Sequence, residues 1–415
     1  MIDIQRCPHR LDLDGSDLHA ESAALRAAGP AARIELPGGV TGWSLTDPAL
    51  IKRLLTDPRI SRDASRHWTA DLAGEVPADW PLRMWTDVRN ALTAYGPDHA
   101  RLRRLIGPAF SARRVRALAP EIERITAGLL DRLAAHPEGE VVDLRAEFIW
   151  VLPLMVANTL LGVPEEIHDA FRSTIGRTFE TGATPEEAVR NAEAVYVQLA
   201  LLAKAKREEP GDDVTTALVQ ARDEETGGGL DERELLDNLL LLVGAGHETT
   251  VNLIGSTIAQ LAADPQQLDQ LKADPARWPD AVEETLRHQP PVANILARFP
   301  VEDVHDEPTG LTFVRGDLLV VNFLAAGRDP ALHGEDAARY DHTRPTRRDH
   351  LSFGHGVHYC LGAELARLES RIALAALFER FPCLTLAVPA DELRPLPSFI
   401  SNGPRELPVL LHGRA

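Results

Sequence analysis

The chain has 415 residues, 44% of them hydrophobic, and a formal net charge of −18. That apolar content supports a large buried core and excludes a disordered chain, while the acidic balance argues against a general nucleic-acid binder, whose partner demands clustered cations. Three cysteines, Cys7, Cys360 and Cys383, are too few for a disulfide framework and form no CxxC pair. Met1 to Arg10 carries charge and no apolar run, and the strongest apolar stretch, Leu239 to Val243, falls far short of the ~20 residues that cross a bilayer. A soluble, cytoplasmic protein is expected, with no nucleic-acid or membrane partner. No Gly/Ser-rich or Pro-rich linker interrupts the chain, so 1–415 reads as one domain.

In chain order, Arg33 to Leu36 and Val40 to Leu45 flank Pro37, Gly38 and Gly39, the pattern of two short strands joined by a turn. Ser61 to Tyr95 is punctuated by Gly74, Pro77 and Pro81, holds Trp68, Trp80 and Trp85, and lacks periodicity. It reads as a long irregular connection of the kind usually kept for function. Apolar spacing near 3.6 predicts helices over Asp98–Ile106, Pro120–Leu133, Phe148–Leu161, Pro185–Arg207, Glu232–Ala263, Pro279–His288 and Gly362–Phe381. Between Arg101 and Arg116 lie six arginines and no acid, a basic island on an acidic protein. Strand signal returns at Leu311–Val314 and Leu318–Phe323, with Gly316 and Asp317 supplying a hairpin turn. The class is mainly α with a minor β portion, near residues 30–60 and 290–325.

Two stretches carry chemistry. Inside the longest helical pattern, Gly244 and Gly246 each cost about 1 kcal/mol against alanine, so something must approach that backbone. Thr249 can bond the carbonyl of Ala245, four residues back, and loosen the ladder into a pocket, with the acid Glu248 beside it. Further on, Phe353-Gly354-His355-Gly356-Val357-His358-Tyr359-Cys360-Leu361-Gly362 precedes a helix whose N-terminal amides and dipole would lower a thiol pKa. An arbitrary cysteine beside a Gly-rich loop is most often structural. His355 and His358 raise the thought of zinc, but no fourth ligand stands at metal-like spacing.

The run FGxGxHxCxG resembles the haem-ligand signature of cytochromes P450, and Ala245, Gly246, Glu248 and Thr249 resemble that family's oxygen-binding motif, (A/G)Gx(E/D)T. The chain is similar to soluble, actinobacterial-type members. The resemblance implies a triangular prism with haem b, iron-protoporphyrin IX, between the long oxygen helix and the cysteine-loop helix; the absence of CxxCH implies no covalent attachment. Cys360 would be the axial iron ligand, its thiolate favouring O–O cleavage. Phe353 would shield the sulfur, and Gly354, Gly356 and Gly362 would let the backbone approach the porphyrin. Thr249 would hydrogen-bond the oxygen substrate and Glu248 would feed protons. His99 and Arg103 match the family's HxxxR helix, and with Arg298 and His358 they would bind the propionates. Glu284 and Arg287 resemble the ExxR pair, joined by Arg344, with a structural role.

The resemblance implies a monooxygenase that uses O2 and two electrons, delivered by a ferredoxin and its ferredoxin reductase. The basic island would dock an acidic ferredoxin. Met84, Val88 and Leu92 in the irregular connection, Ala245, Val292, Ile295, Phe399 and Ile400 would line the substrate pocket. Their apolar character predicts hydroxylation of a mid-sized hydrophobic molecule such as a steroid, macrolide or polyketide. Oxidative C–C or C–N coupling of an aromatic natural product, such as a cyclic dipeptide, is the alternative. A haem sensor without turnover is more remote, because it would need no proton relay at Glu248 and Thr249.

Overall fold

Asp231 accepts a hydrogen bond from the Glu234 amide while the Glu234 side chain accepts from the Asp231 amide, a capping box that starts a helix. That helix runs unbroken over Glu232–Ala263 in the computed structural model, which describes residues 8–164 and 185–413. At ~1.5 Å per residue it spans about 48 Å, enough to cross the molecule. Its C-terminal half buries Leu253, Ile254, Ile258 and Leu261 in the largest core cluster. The helices Ala119–Leu133, Trp278–His288 and Ala363–Arg380 contribute to the same cluster. Its N-terminal half meets a second cluster through Leu235, Leu239 and Val243.

The strands, in chain order, are β1 (His9–Arg10), β2 (Ala31–Leu36), β3 (Val40–Leu45), β4 (Ile60–Ser61), β5 (Val141–Asp143), β6 (Asn294–Pro300), β7 (Val304–Asp306), β8 (Leu311–Phe313), β9 (Leu318–Asn322), β10 (Thr385–Leu386) and β11 (Pro408–Leu410). The main sheet has the order β1-β2-β3-β9-β6-β4. The β2–β3 pair is antiparallel, turning at Gly38 and Gly39, both with positive φ. The expected hairpin over 311–323 does not form. β8 pairs with β7, and β9 inserts between β3 and β6. The reason is burial: all five residues of β9 are buried, and an inner position between two strands satisfies its backbone on both edges where a local hairpin would leave one open.

The connection from Ser61 to Tyr95 is more ordered than its sequence suggests. It holds short helices at Ala64–His67 and Thr69–Leu72 and a 3-10 turn at Arg83–Trp85. Trp68 lies 5.2 Å from Trp80 and 5.6 Å from Phe299, centroid to centroid, so two of the three tryptophans are core. Among the described residues no helix is long and apolar enough to cross a membrane. Cys7 lies outside them.

Candidate active site

In the middle of the long helix, Ala245 and Gly246 are exposed although the residues around them are largely covered. Thr249 Oγ1 donates to the Ala245 carbonyl at 2.5 Å, and Thr250 Oγ1 donates to that of Gly246 at 2.9 Å. Two adjacent back-bonds of this kind draw carbonyls out of the ladder and soften the helix locally. Burial pushes the Glu248 carboxyl above its ordinary range, against a hydrogen bond from Ser401 and the charge of Arg145. Arg145 in turn donates to Asn252 Oδ1 at 3.1 Å. Arg145 and Ser401 escaped the sequence reading because no local pattern ties them to a helix so distant in sequence.

Facing elements supply the cysteine. The Cys360 amide donates to the Phe353 carbonyl at 2.9 Å, closing the loop, and the Gly362 amide reaches the Cys360 sulfur. Gly356, at φ 70°, turns the chain where a Cβ would stand 2.5 Å from the Leu55 carbonyl. Its missing side chain lets this loop pack on the helix Pro48–Thr56. Leu361 packs against the cluster to which Leu239 and Val243 of the long helix also belong. Dense surroundings push the Cys360 thiol up, against the Gly362 amide, Arg103 and Arg367, yet the side chain keeps open surface. The two together describe a sulfur on the wall of an internal chamber. The Gly362 amide at the start of the following helix favours the thiolate while burial opposes it, and a coordinating metal would deprotonate the thiol outright. Phe353 stacks under the Arg367 guanidinium at 4.5 Å. Glu283 is buried, but hydrogen bonds from His350 (3.0 Å) and Arg367 (2.6 Å) outweigh that burial and hold it at about 2.

A cluster of arginine and histidine side chains borders the same loop. His99 and His358 rings sit 4.0 Å apart, and the Arg103 charge is felt by Cys360, His99 and His358. Burial, then Arg103 and Arg298, pushes His99 down to about 4. Its Nε2 is buried with no hydrogen-bond partner. Arg298 is 6% exposed, and among the described residues its side chain hydrogen-bonds only to the neighbouring Ala297 carbonyl, at 3.2 Å. Among the described residues no carboxylate pairs with His99, Arg103, Arg298 or His358. Buried cations without acids are costly, and the carboxylates of a haem are the anions this set lacks. With a soft sulfur donor beside them, the residues fit that group.

The ExxR set is the opposite case. Glu284 and Arg287 are fully buried and bound bidentately at 2.8 and 2.7 Å. Arg287 also donates to the carbonyls of Gly327, Ala337 and Arg339. Arg344 lies 3.5 Å from Glu284 and donates to the carbonyls of His333, Asp336 and Arg339. The chain meets the Arg287 carbonyl so closely that a Cβ on Gly327 would stand 2.1 Å away.

The proposed pocket residues separate. Val88, Leu92, Val292 and Ile295 keep partial exposure, and Met84 is 68% exposed on its 3-10 turn. Phe399 and Ile400 are a correction: both are core, 3% and 4% exposed beside Leu11, Leu18 and Leu296, and Ser401 after them is the residue that reaches Glu248. The basic island is a second correction. Arg101 pairs with Glu234, Arg104 with Asp223 and Glu225, and Arg114 with Asp212, acids that lie far away in sequence. Arg113 and Arg116 remain exposed without an ion pair.

Comparison with known proteins bears on these features. Residues 279–402 match the family described as cytochrome P450. The chain is 42% identical over 409 residues, 99% of this chain and 98% of the relative, to 2-hydroxy-5-methyl-1-naphthoate 7-hydroxylase of Streptomyces carzinostaticus. Among solved structures it is similar to CYP154A1 of Streptomyces coelicolor A3(2), with TM-score 0.88 and 48% identity, covering 97% of this chain and 100% of that one. It is also similar to CYP154C4 of Streptomyces sp. ATCC 11861, described as "Testerone bound", with TM-score 0.90 and 43% identity, covering 97% and 98%.

Proposed function

Because the chain belongs to the cytochrome P450 family and is a haem-dependent monooxygenase, we propose that it hydroxylates a mid-sized, polycyclic or macrocyclic hydrophobic metabolite. The observation that carries this is the accessible surface of the candidate pocket residues. Ala245, Gly246, Val88, Leu92, Val292 and Ile295 all offer apolar atoms, a lining that favours a hydrophobic guest held by shape. The naphthoate hydroxylase and the protein described as "Testerone bound" support fused-ring substrates of this size.

When bound, the haem iron supplies the redox chemistry that activates O2 for insertion into a C–H bond. Cys360 would hold the iron, with the Gly362 amide on its sulfur and Phe353 covering it. His99, Arg103, Arg298 and His358 would hold the carboxylates of a noncovalently bound iron-protoporphyrin IX. Thr249 keeps a hydroxyl proton at the point where the helix opens, and Glu248, drawn toward Ser401 and Arg145, moves protons inward from that side. Glu284, Arg287 and Arg344 would keep the cysteine loop in place. Electrons would come from a ferredoxin and its reductase. Docking would rest on Arg113 and Arg116, since Arg101, Arg104 and Arg114 are paired with acids and Arg103 borders the cysteine loop. We read the chain as one domain working in the cytoplasm.

The test is a titration of the ferric protein with testosterone, 2-hydroxy-5-methyl-1-naphthoate and 6-deoxyerythronolide B, followed by turnover under heavy-isotope oxygen. A high-spin shift and a product carrying one labelled oxygen are expected for at least one fused-ring or macrocyclic compound. A product without label would replace hydroxylation by oxidative coupling.

A further inference from the structure

Arg62 belongs to none of the motifs and follows a two-residue strand. β4 pairs with β6 in the register Ile60↔Pro300 and Ser61↔Phe299, and the next step in that register sets Arg62 opposite Arg298. Arg62 is 1% exposed, and Nε, Nη1 and Nη2 are all buried without a hydrogen-bond partner. Burial alone pushes its guanidinium down to about 9, with no acid acting on it, and its charge is felt by both Arg298 and His358. Like charges directly opposite on antiparallel strands are destabilising, and uncompensated buried charges more so. The chain nevertheless builds this pair with care. β6 slips register between Ile295 and Arg298, and at the slip Ala297 takes φ 70°, the one non-glycine residue with positive φ among those described. A non-glycine residue held there is strained and persists only where the surrounding structure enforces it. The extra residue returns Arg298 to register with Leu319, so that it shares a sheet face with Ile295, opposite Val321; strict alternation would have sent it to the other face.

We propose that Arg62 and Arg298 form a paired guanidinium clamp for a carboxylate of the cofactor, and that the bulge at Ala297 is the device that aligns the pair. The inference rests on the haem reading above. Two planar forks side by side offer a carboxylate donors for both oxygens, and their mutual repulsion, unrelieved within the chain, is relieved by that anion.

The experiment compares the holoenzyme with Arg62→Gln and Arg62→Lys variants. It measures the rate of haem transfer to excess apomyoglobin and the reduction potential of the iron. Loss of a hydrogen bond to a charged group costs about 1.5–3 kcal/mol, so Arg62→Gln is expected to release haem about ten- to a hundredfold faster. Its potential should shift negative, since a cation beside the cofactor has gone. Arg62→Lys keeps the charge and should recover most of both. Wild-type release and potential in Arg62→Gln would overturn the clamp. So would equal defects in the Gln and Lys variants, which would assign the effect to packing. A wild-type protein that takes up no haem would overturn the family reading instead.

Discussion

Two buried sets of charged and basic side chains behave as opposites. In Glu284–Arg287–Arg344 the five N–H donors of Arg287 are all used, two on Glu284 and three on backbone carbonyls. In the set of Arg62, His99, Arg298 and His358, all three Arg62 guanidinium nitrogens and His99 Nε2 are buried without partners, and among the described residues no acid pairs with any member. In the first set, Arg344 Nε makes no hydrogen bond but lies 3.5 Å from the Glu284 carboxylate, so the charges of this closed set have their counter-charge within the chain and its worth is structural. An open set costs stability until an anion from outside completes it. The contrast separates scaffold from binding site without reference to any motif.

The largest effect should come from opening the closed set. Arg287→Ala leaves Glu284 buried and unpaired, at a cost of about 3–5 kcal/mol, a large part of the 5–15 kcal/mol typical of a whole domain. Little soluble, folded protein is expected, read as yield and far-UV circular dichroism; normal yield with native helicity would erase the distinction. Removing a member of the open set should spare the fold and weaken cofactor retention. Arg298→Gln is expected to keep wild-type helicity and release haem at least ~10-fold faster. Aggregation with no haem-loaded fraction would mean that this set too is scaffold.

The contrast sharpens on the oxygen side. Thr249→Ala removes the bond to the Ala245 carbonyl and should leave folding and haem content intact while lowering product formed per electron consumed. Unchanged coupling would remove Thr249 from the chemistry. The smallest effect concerns Glu248. Burial raises its titration in the folded chain, so over that window the native state holds a proton the unfolded chain has released, and stability falls as pH rises through it. Glu248→Gln should therefore melt ~1 °C higher than wild type at about pH 8 and converge with it toward about pH 4, even as turnover slows. A lower midpoint at high pH would contradict the assigned burial cost.

What the sequence made legible was whatever is written locally. The cysteine run, the Ala245–Thr249 stretch and the i, i+3 pair Glu284–Arg287 each lie within one turn or loop, and the helices carry their own period. What stayed hidden depends on partners distant in the chain. Gly316 and Asp317 carry a hairpin signal, yet β9 finds its neighbours in β3 and β6. Three arginines of the island, Arg101, Arg104 and Arg114, are paired with acids beyond residue 210. Phe399 and Ile400 are apolar enough for a pocket and equally apt for the core that took them. Arg62 acquires meaning only once β4 pairs with β6.

The account stands on Cys360 carrying a haem iron as thiolate, and the absorption spectrum of the dithionite-reduced protein under carbon monoxide tests that most directly. A Soret band near ~450 nm, the region expected of a haem iron with a thiolate ligand, is predicted. A band near ~420 nm in freshly prepared protein would contradict it, showing a neutral or displaced ligand.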